Sequence, residues 1–528
     1  MSLRWACWIS LAALLCGASP TSAAPVRLTP KEAVSRALKY NLGFKATRLD
    51  PALTEEAERI AEASYSPSLF GGLDVAGSDR AKAGVSGATS VGADVGMRKL
   101  FSVGTSLEGS LSTSALYGGS RLDPSYESGL KLSARQALLQ GISRKANEAP
   151  IVSARLARDA ANASLERQAE LLAAETLKAY WDLRASAAKV VIQDVALQMA
   201  EKTLRETTAL IGAGKLPATE QSSSDYAVKR QRRSKIQAEQ ELQNARDRMA
   251  RLIGMVPADS LATPEIVPIS APRGERSKTT LPELQRQAMK DRGDFRTLKI
   301  ATELRRVEEQ VAHHKLLPKL DLVAALQLTG LSGDPKGTSG SDSDYRSYWG
   351  SFAMNRLTWS AGLSLEVPLG NKEAKARREL AALAVRRSVL ATEMAIQELA
   401  LELNIAYRAV QTNREALRLS EEAMKVAEAK LAAETERYKA GKTSAHILAD
   451  VQLQAITERT TREQALADMV KSVVELQATA GTLLSRLGLR SNGQPRDAMA
   501  DDHGPEPASS PGDGRNHAEP QPATRSTK

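Results

Sequence analysis

The chain has 528 residues, with 72 Lys and Arg against 62 Asp and Glu and a formal net charge of +10. Only 4% of the residues are aromatic, which is low for a large globular enzyme, whereas the abundance of Ala, Leu, Glu, Lys, Arg and Gln is typical of long helices. The positive excess is modest and spread along the chain, so it does not require a nucleic-acid partner.

Residues 1–24 have the pattern of a secretory signal peptide. Arg4 supplies the positive start, Ile9–Leu15 the short apolar stretch, and small residues just before position 25 a cleavage site. Lipidation at Cys16 is an alternative that the large residue before it disfavours. Both cysteines, Cys7 and Cys16, leave with this segment, so disulfides and thiolate metal sites are excluded from the rest. No apolar run long enough for a membrane helix follows, which leaves a soluble exported protein or an outer-membrane β-barrel.

The sequence contains two copies of one unit, related by two fixed offsets. One offset relates Pro67 to Pro318 and Glu32 to Glu283, and a shorter one relates Tyr180 to Tyr407 and Gly214 to Gly441. The difference between the offsets places extra residues in the strand region of the first copy.

Each copy is predicted to contain short helices, then strands, then two long helices. The first repeat spans 25–278, with strands at about 68–135 and long helices at about 138–211 and 217–254. The second repeat spans 279–490, with strands at about 319–368 and long helices at about 371–440 and 443–489. Residues 491–528 are rich in Pro, Gly, Ser and acidic residues and are predicted to form a disordered tail.

The first long helix of each repeat carries a coiled-coil pattern. Apolar residues recur every 3.5 residues on average from Ile396 to Tyr438, interrupted only by Asn413, Ser420 and Glu434. The equivalent positions of the first repeat are also mostly apolar. Helices of this length are about 100 Å long at about 1.5 Å per residue, more than a compact domain needs.

The strands alternate apolar and polar residues over about ten positions. The clearest segments are 69–75, 126–132, 320–328 and 357–367. This pattern is typical of membrane strands with one side to lipid, although a half-buried soluble sheet produces it too. The predicted signal segment and the length of the helices favour membrane strands over a soluble sheet. The aromatic residues Tyr345, Tyr348, Trp349, Phe352 and Trp359 are expected to form an interfacial belt.

Four strands per chain cannot close a barrel, so the chain is expected to oligomerise. Three chains would give a twelve-stranded barrel with pseudo-sixfold packing of the helices. The extra residues of the first repeat, 91–113, contain another alternating pair. They either lengthen the barrel strands or form an accessory hairpin.

Together these features resemble the TolC family of outer-membrane efflux proteins over about residues 27–489. The resemblance is carried by Leu28–Ala33 with Ala37 and Asn41, by Pro67 and Pro318, by Leu138–Gly141, and by Glu436–Gly441. Leu42 departs from the family, which often has Pro after the Asn, and so does the longer first strand region.

The resemblance implies a mixed α and β membrane protein that is not an enzyme and has no cofactor. It implies a trimeric twelve-stranded transmembrane β-barrel in outer-membrane lipid that continues into a periplasmic α-helical tunnel. The expected role is a duct that passively conducts substrate for a tripartite efflux or type I secretion system. The expected partners are two further copies of the chain, a periplasmic adaptor (membrane fusion) protein and an inner-membrane transporter.

The turns between the long helices are the candidate functional sites. Their residues are Gly212, Gly214, Lys215 and Pro217 in the first copy and Gly441 and Lys442 in the second. Helix-hairpin chemistry alone accounts for them, while the resemblance implies a closed periplasmic tip that docks the adaptor. It also implies a gate formed by Asp450, Glu220 and Tyr438, in which a Tyr438–Glu220 hydrogen bond holds the tip closed. Ordinary helix-surface positions are the alternative.

Other interpretations are weaker. His313 and His314 are adjacent and point to different helix faces, so no metal site is predicted. A periplasmic adaptor would need a lipoyl-like β domain, which is not visible. A soluble coiled-coil structural protein would leave the alternating strands and the signal segment without a role.

Overall fold

The computed structural model describes residues 25–78, 88–118, 122–256, 263–271, 280–335 and 341–495. The predicted signal segment lies outside these ranges, as does the predicted tail beyond residue 495. Within them, none of the helices combines the length and the apolar composition that a membrane-spanning helix needs.

The first half of the chain runs from a short strand through three helices, four strands and a helical hairpin. Its elements are β1 (Val26–Leu28), α1 (Pro30–Tyr40), α2 (Leu42–Thr47), α3 (Asp50–Ala63), β2 (Ser68–Ser78), β3 (Ala88–Leu100), β4 (Thr105–Tyr117), β5 (Leu122–Ala137), α4 (Arg144–Asn147), α5 (Ala149–Gly212) and α6 (Thr219–Leu252).

The second half follows the same plan with fewer strands. Its elements are β6 (Ile266–Pro268), α7 (Leu281–Asp291), α8 (Gly293–His314), β7 (Lys319–Pro335), α9 (Ser341–Ser351), β8 (Arg356–Glu366), α10 (Lys372–Lys439), α11 (Ala445–Thr479) and α12 (Leu483–Leu487).

The first helices of the two halves begin with the same capping box. In α1 the backbone N–H of Thr29 donates to the Glu32 carboxylate at 2.9 Å, and in α7 the N–H of Thr280 donates to Glu283 at 3.0 Å. Each box satisfies backbone donors that the first turn of a helix leaves free. Equivalent local sequences therefore start equivalent helices in the two repeats.

The long helices form two antiparallel hairpins, α5 with α6 and α10 with α11. Helix α5 has 64 residues and α10 has 68, which corresponds to about 100 Å each at about 1.5 Å per residue. Helix α5 begins at residue 149 rather than near 138, because Gly141 takes a left-handed φ of +98° and Pro150 fits the first helical turn.

The coiled-coil pattern corresponds to the buried side of α10. Leu399, Leu403 and Ala406 are buried in a cluster with residues of α7, α8 and α11. Ser420 and Glu434, two of the polar interruptions, are also buried. The heptad therefore marks the packed side of the helix even where its residues are polar.

All of the long strands belong to one antiparallel sheet with the order β2-β3-β4-β5-β7-β8. Four strands per chain are expected from the sequence, whereas the sheet has six within the described ranges. The additional two, β3 and β4, come from the segment 91–113, for which the sequence allowed either longer barrel strands or an accessory hairpin. Helix α9, between β7 and β8, was not predicted either.

The two ends of the first repeat meet around Tyr180 of α5. Strands β1 and β6 pair in parallel beside it, and the Tyr180 side chain is fully buried. Its hydroxyl donates to the carbonyl of Leu28 at 3.0 Å and accepts the N–H of Ser270 at 3.1 Å. This buried hydroxyl connects the middle of a long helix to the pair formed by β1 and β6.

Candidate functional site

The turns that end α5 and α10 have the same geometry. Gly214 and Gly441 each have φ of +70°, a left-handed conformation that glycine adopts without steric cost. The next residues, Lys215 and Lys442, each donate a backbone N–H to a carbonyl in the last helical turn at 2.9 Å. The duplicated sequence therefore makes the same helix-ending motif twice.

The two turns lie side by side at the end of the hairpins. Leu216 of the first turn packs against a cluster in the second hairpin that contains Ala445 and Leu448. The predicted docking residues are all exposed, namely Gly212, Gly214, Lys215, Pro217, Gly441 and Lys442. They form one accessible surface at the end of the molecule opposite the sheet.

A buried polar network connects the four long helices just inside the turns. The hydroxyl of Tyr438 on α10 lies 2.7 Å from that of Thr207 on α5, which lies 3.0 Å from that of Ser224 on α6. On α11, Gln452 donates its side-chain N–H to Thr203 of α5 at 3.0 Å. Because buried polar groups are costly when unpaired, this network favours one arrangement of the two hairpins.

Tyr438 is almost completely enclosed, with 1% of its surface exposed. Burial raises the pKa of its hydroxyl above the ordinary value, and the nearby carboxylate of Glu220 adds to the rise. The side chain is therefore neutral at physiological pH and can act as a hydrogen-bond donor.

The predicted Tyr438–Glu220 hydrogen bond is not the one that forms, and this part of the prediction is corrected. Glu220 instead accepts the backbone N–H of Ala445 at 3.0 Å. That N–H belongs to the first turn of α11, where free donors and the helix dipole attract a carboxylate. Glu220 thus connects the start of α6, in the first hairpin, to the start of α11, in the second hairpin.

Asp450 lies one turn further along α11 and is exposed to solvent. Its carboxylate is 3.6 Å from the imidazole of His446, one helical turn earlier. An exposed pair of this kind contributes little to stability. Asp450 is therefore a surface charge near the turns, separate from the buried network around Tyr438.

Four members of the buried network were not predicted from the sequence, namely Thr203, Thr207, Ser224 and Gln452. A signal for Thr207 was present, because it occupies the position in the first repeat that Glu434 occupies in the second, where the coiled-coil pattern is polar. A polar residue on a buried helix face requires a partner. The partner itself, Tyr438 of the other repeat, could not be derived from spacing.

The second functional feature is the sheet, whose apolar side chains share one face. Leu73 on β2, Val95 on β3, Leu111 on β4, Leu326 on β7 and Leu363 on β8 all belong to it. Their exposed fractions range from 37% for Leu111 to 87% for Leu73. An apolar surface that continues over six strands needs lipid or protein to cover it.

The opposite face of the sheet is polar and charged. Near the helices, Arg135 on β5 donates its Nε–H to the carboxylate of Asp321 on β7 at 3.1 Å. Lys319 and Glu366 pair at 3.1 Å between β7 and β8. Arg135 and Asp321 line a cavity of about 830 Å³ where the sheet meets the helices. This face is suited to contact with water.

Helix α9 lies against the apolar face at the end of the sheet remote from the long helices. The hydroxyl of Ser351 is 2.7 Å from that of Ser128 on β5. The approach to β7 is so close that a Cβ on Gly330 would be 1.9 Å from the carbonyl oxygen of Ser351. The aromatic rings of Tyr345, Tyr348, Trp349 and Phe352 cluster on and just after this helix.

No cluster of three or more potential metal ligands occurs in the part of the chain that the structure describes. The described site is thus composed of a helical tip, an apolar sheet face and a polar sheet face.

Comparison with known proteins agrees with this arrangement. Residues 284–482 match the family model of the outer membrane efflux protein. No curated protein sequence matches the chain. The fold resembles the outer-membrane channel OprN (17% identity, TM-score 0.63, 86% of this chain and 89% of that one). It also resembles the Campylobacter jejuni CmeC outer membrane channel (15%, 0.63, 86% of each chain) and the open state of Neisseria gonorrhoeae MtrE (17%, 0.59, 86% and 89%).

The fold is therefore that of the TolC-like outer-membrane channels, with long helices joined to an antiparallel sheet. The family match covers residues 284–482, and the likeness to solved outer-membrane channels extends over 86% of the chain. The matched family model is one of efflux proteins, in agreement with the resemblance that the sequence indicates. The match favours a channel over the two rival interpretations, a periplasmic adaptor and a soluble coiled-coil protein.

Proposed function

We propose that the chain forms a homotrimeric exit duct that passively conducts substrate from the periplasm, or from an inner-membrane pump, to the exterior. The observation that carries the proposal is the joining of a two-faced sheet to helices of about 100 Å. The apolar face of the sheet contacts outer-membrane lipid and the polar face lines the pore. The energy for transport comes from the inner-membrane partner.

The edges of the sheet support assembly of several copies. β2 and β8 are the two edge strands of the six-stranded sheet. Strand direction alternates across the sheet, so β8 of one copy runs antiparallel to β2 of the next. Open edges cannot remain in lipid, where backbone groups have no water to bond. When neighbouring copies pair β8 with β2, the backbone groups of both edge strands have hydrogen-bond partners.

The helices support the same assembly. Helix α10 packs on α8 and α11, and α6 packs mainly on α5. Large apolar side chains remain exposed on α10 in this single copy, namely Leu380, Leu383, Leu390, Met394, Leu401 and Ile405. In a trimer the neighbouring copy covers this surface, which is too apolar for permanent exposure to water.

The exposed turns form the docking surface for the periplasmic adaptor, through Gly212, Gly214, Lys215, Pro217, Gly441 and Lys442. Their position at the end remote from the sheet supports this assignment, because that end faces the inner membrane when the sheet lies in the outer membrane. Asp450, Glu220 and Tyr438 surround the same end and form the periplasmic gate. Within it, Tyr438 acts through Thr207, and Glu220 acts through the N-terminus of α11.

The proposal is tested by recording currents across a planar bilayer after addition of the detergent-extracted protein. A duct with a polar lumen produces discrete conductance steps, and the open fraction rises when the Tyr438–Thr207 contact is removed. Failure to insert, or insertion without ion current, would contradict a conducting channel. A matched sample carrying Tyr226→Phe, an exposed tyrosine on α6, controls for the substitution itself.

A further inference from the structure

We propose that the β3–β4 hairpin is part of the membrane wall. Each copy then contributes six strands, and three copies close a barrel of eighteen strands. This inference rests on the proposed function, since it assumes a trimeric barrel. It differs from the twelve strands implied by the family resemblance. The result is a wider exit at the outer membrane.

Backbone pairing is the first observation. β3 pairs with β2 over 11 consecutive positions, from Ser68 with Arg98 to Ser78 with Ala88. β4 pairs with β3 and with β5 over 12 positions each, without a register shift. β3 and β4 have 13 residues each, enough for a tilted membrane strand, which needs about 9–11. The hairpin is therefore inserted into the sheet as two full-length strands.

The distribution of apolar side chains is the second observation. Val95 of β3 lies directly opposite Leu111 of β4, which lies opposite Leu130 of β5. Leu130 in turn lies opposite Leu328 of β7. The apolar face thus continues across the hairpin without interruption, and Val95 is 47% exposed. A hairpin outside the membrane would expose these side chains to water for no gain.

The other face of the hairpin continues the polar face. Arg98 and Glu108 lie directly opposite each other on β3 and β4, and Asp94 lies opposite Ser112. Charged and small polar residues here match the lumen side of a barrel. Both faces of the hairpin therefore have the character of the strands that flank it.

The turn of the hairpin is attached where the sheet meets the helices. Asn147 donates its side-chain N–H groups to the carbonyls of Ser102 at 2.8 Å and Gly141 at 2.6 Å. Gly104 has φ of +78°, and a Cβ there would be 2.2 Å from the carbonyl oxygen of Gly141. A turn held this closely belongs to the junction between barrel and tunnel rather than to a free flap.

Strand number determines pore width. Barrel diameter grows roughly linearly with the number of strands, so eighteen strands give a diameter about 1.5 times that of twelve. Barrels of about this size leave an aqueous channel. The exit is accordingly suited to bulky hydrophilic solutes that a twelve-stranded pore of the same kind would exclude.

The experiment uses single cysteines labelled with a fluorophore in vesicles that contain lipid-borne nitroxide quenchers. Residues 17–528 contain no cysteine, so each label is unique. Val95→Cys and Leu111→Cys report on the apolar face of the hairpin, and Ser110→Cys reports on its polar face. Leu326→Cys on β7 is the matched control outside the hairpin.

Labels at Val95 and Leu111 should lose as much fluorescence as the label at Leu326, while the label at Ser110 keeps its fluorescence. Quenching at Leu326 without quenching at Val95 and Leu111 would overturn the hairpin proposal and leave the proposed function intact. Lack of quenching at Leu326 as well would overturn the proposed function, and the hairpin proposal with it.

Electron cryomicroscopy of the detergent-extracted particle gives the strand count independently of any variant. Eighteen strands around the pore are expected. Twelve strands, with three hairpins folded outside or inside the wall, would overturn the proposal.

Discussion

The side-chain hydroxyls of Tyr438 and Thr207 lie 2.7 Å apart. Tyr438 belongs to α10 of the second repeat and Thr207 to α5 of the first. Both residues are buried, and Thr207 also contacts Ser224. The contact joins the two helical hairpins immediately inside their turns. We infer that opening the tip requires this hydrogen bond to break.

The substitution Tyr438→Phe should loosen the tip. It removes one hydroxyl from a buried network and should cost about 1 kcal/mol, since a neutral hydrogen bond contributes about 0.5–1.5 kcal/mol net. Entry of large antibiotics into cells that express the variant should rise. Tyr226→Phe, at an exposed position on α6, should leave entry unchanged. Equal entry for wild type and Tyr438→Phe would rule out Tyr438 as part of the gate.

The same tyrosine predicts how the closed tip depends on pH. Burial raises the pKa of Tyr438, so the closed state holds its proton more tightly than an open, solvated tyrosine with a pKa of about 10 does. The stabilisation is complete below pH about 10 and declines above it. Leak of an uncharged dye from vesicles should be constant from pH about 6 to 9 and rise under alkaline conditions. Tyr438→Phe should remove the part of the alkaline rise that comes from this residue.

The gate illustrates what the sequence could and could not predict. Tyr438 and Glu220 were found from the resemblance and the repeat offset, and both lie at the tip. Their partners differ from the expected ones because contacts between helices depend on the relative rotation of α5, α6 and α10. Spacing along one helix determines which face is buried but does not determine what that face meets.

Gly104 provides a test of the turn between β3 and β4. Gly104→Ala places a Cβ 2.2 Å from the carbonyl of Gly141 and forces an alanine to φ of +78°. The variant should assemble less well, measured as the loss of heat-resistant trimer on a denaturing gel. Gly362→Ala on β8, where a Cβ would meet nothing within 4 Å, is the matched control and should assemble normally. Normal assembly of Gly104→Ala would show that the turn is not held at the junction.

Arg292 provides a test of how the segment between α7 and α8 packs on α10 and α11. Its buried guanidinium bonds to Asp294 at 2.6 Å, to Glu402 at 2.9 Å and to the carbonyl of Thr479 at 3.1 Å. Arg292→Met should lower the free energy of unfolding by about 2 kcal/mol, because hydrogen bonds to charged groups contribute about 1.5–3 kcal/mol and the variant also leaves the carbonyl of Thr479 without this donor. The carboxylates of Asp294 and Glu402 are 38% and 44% exposed, so water solvates them in the variant.

Thermal unfolding in detergent measures the effect. Arg418→Met is the control, since Arg418 forms exposed ion pairs with Glu415 and Glu422 and such pairs contribute at most about 1 kcal/mol. Equal shifts for the two variants would contradict a structural role for the buried arginine.

In the sheet, as in the gate, the sequence pattern predicted the elements but not the elements that they contact. Alternation in 91–113 indicated strands, but alternation does not identify the neighbouring strand in the sheet. Pairing depends on backbone contacts between segments, here from Val91 with Val75 to Leu111 with Leu130. The strand count of six therefore emerged only from the structure. Helix α9 was missed because its aromatic residues were interpreted as an interfacial belt and not as a helical face.

The most direct test of the central claim is the native mass of the particle extracted by detergent from purified outer membranes. The account predicts a particle of three chains that remains in the membrane fraction until detergent is added. A monomer or dimer that is released from the periplasm without detergent would contradict it.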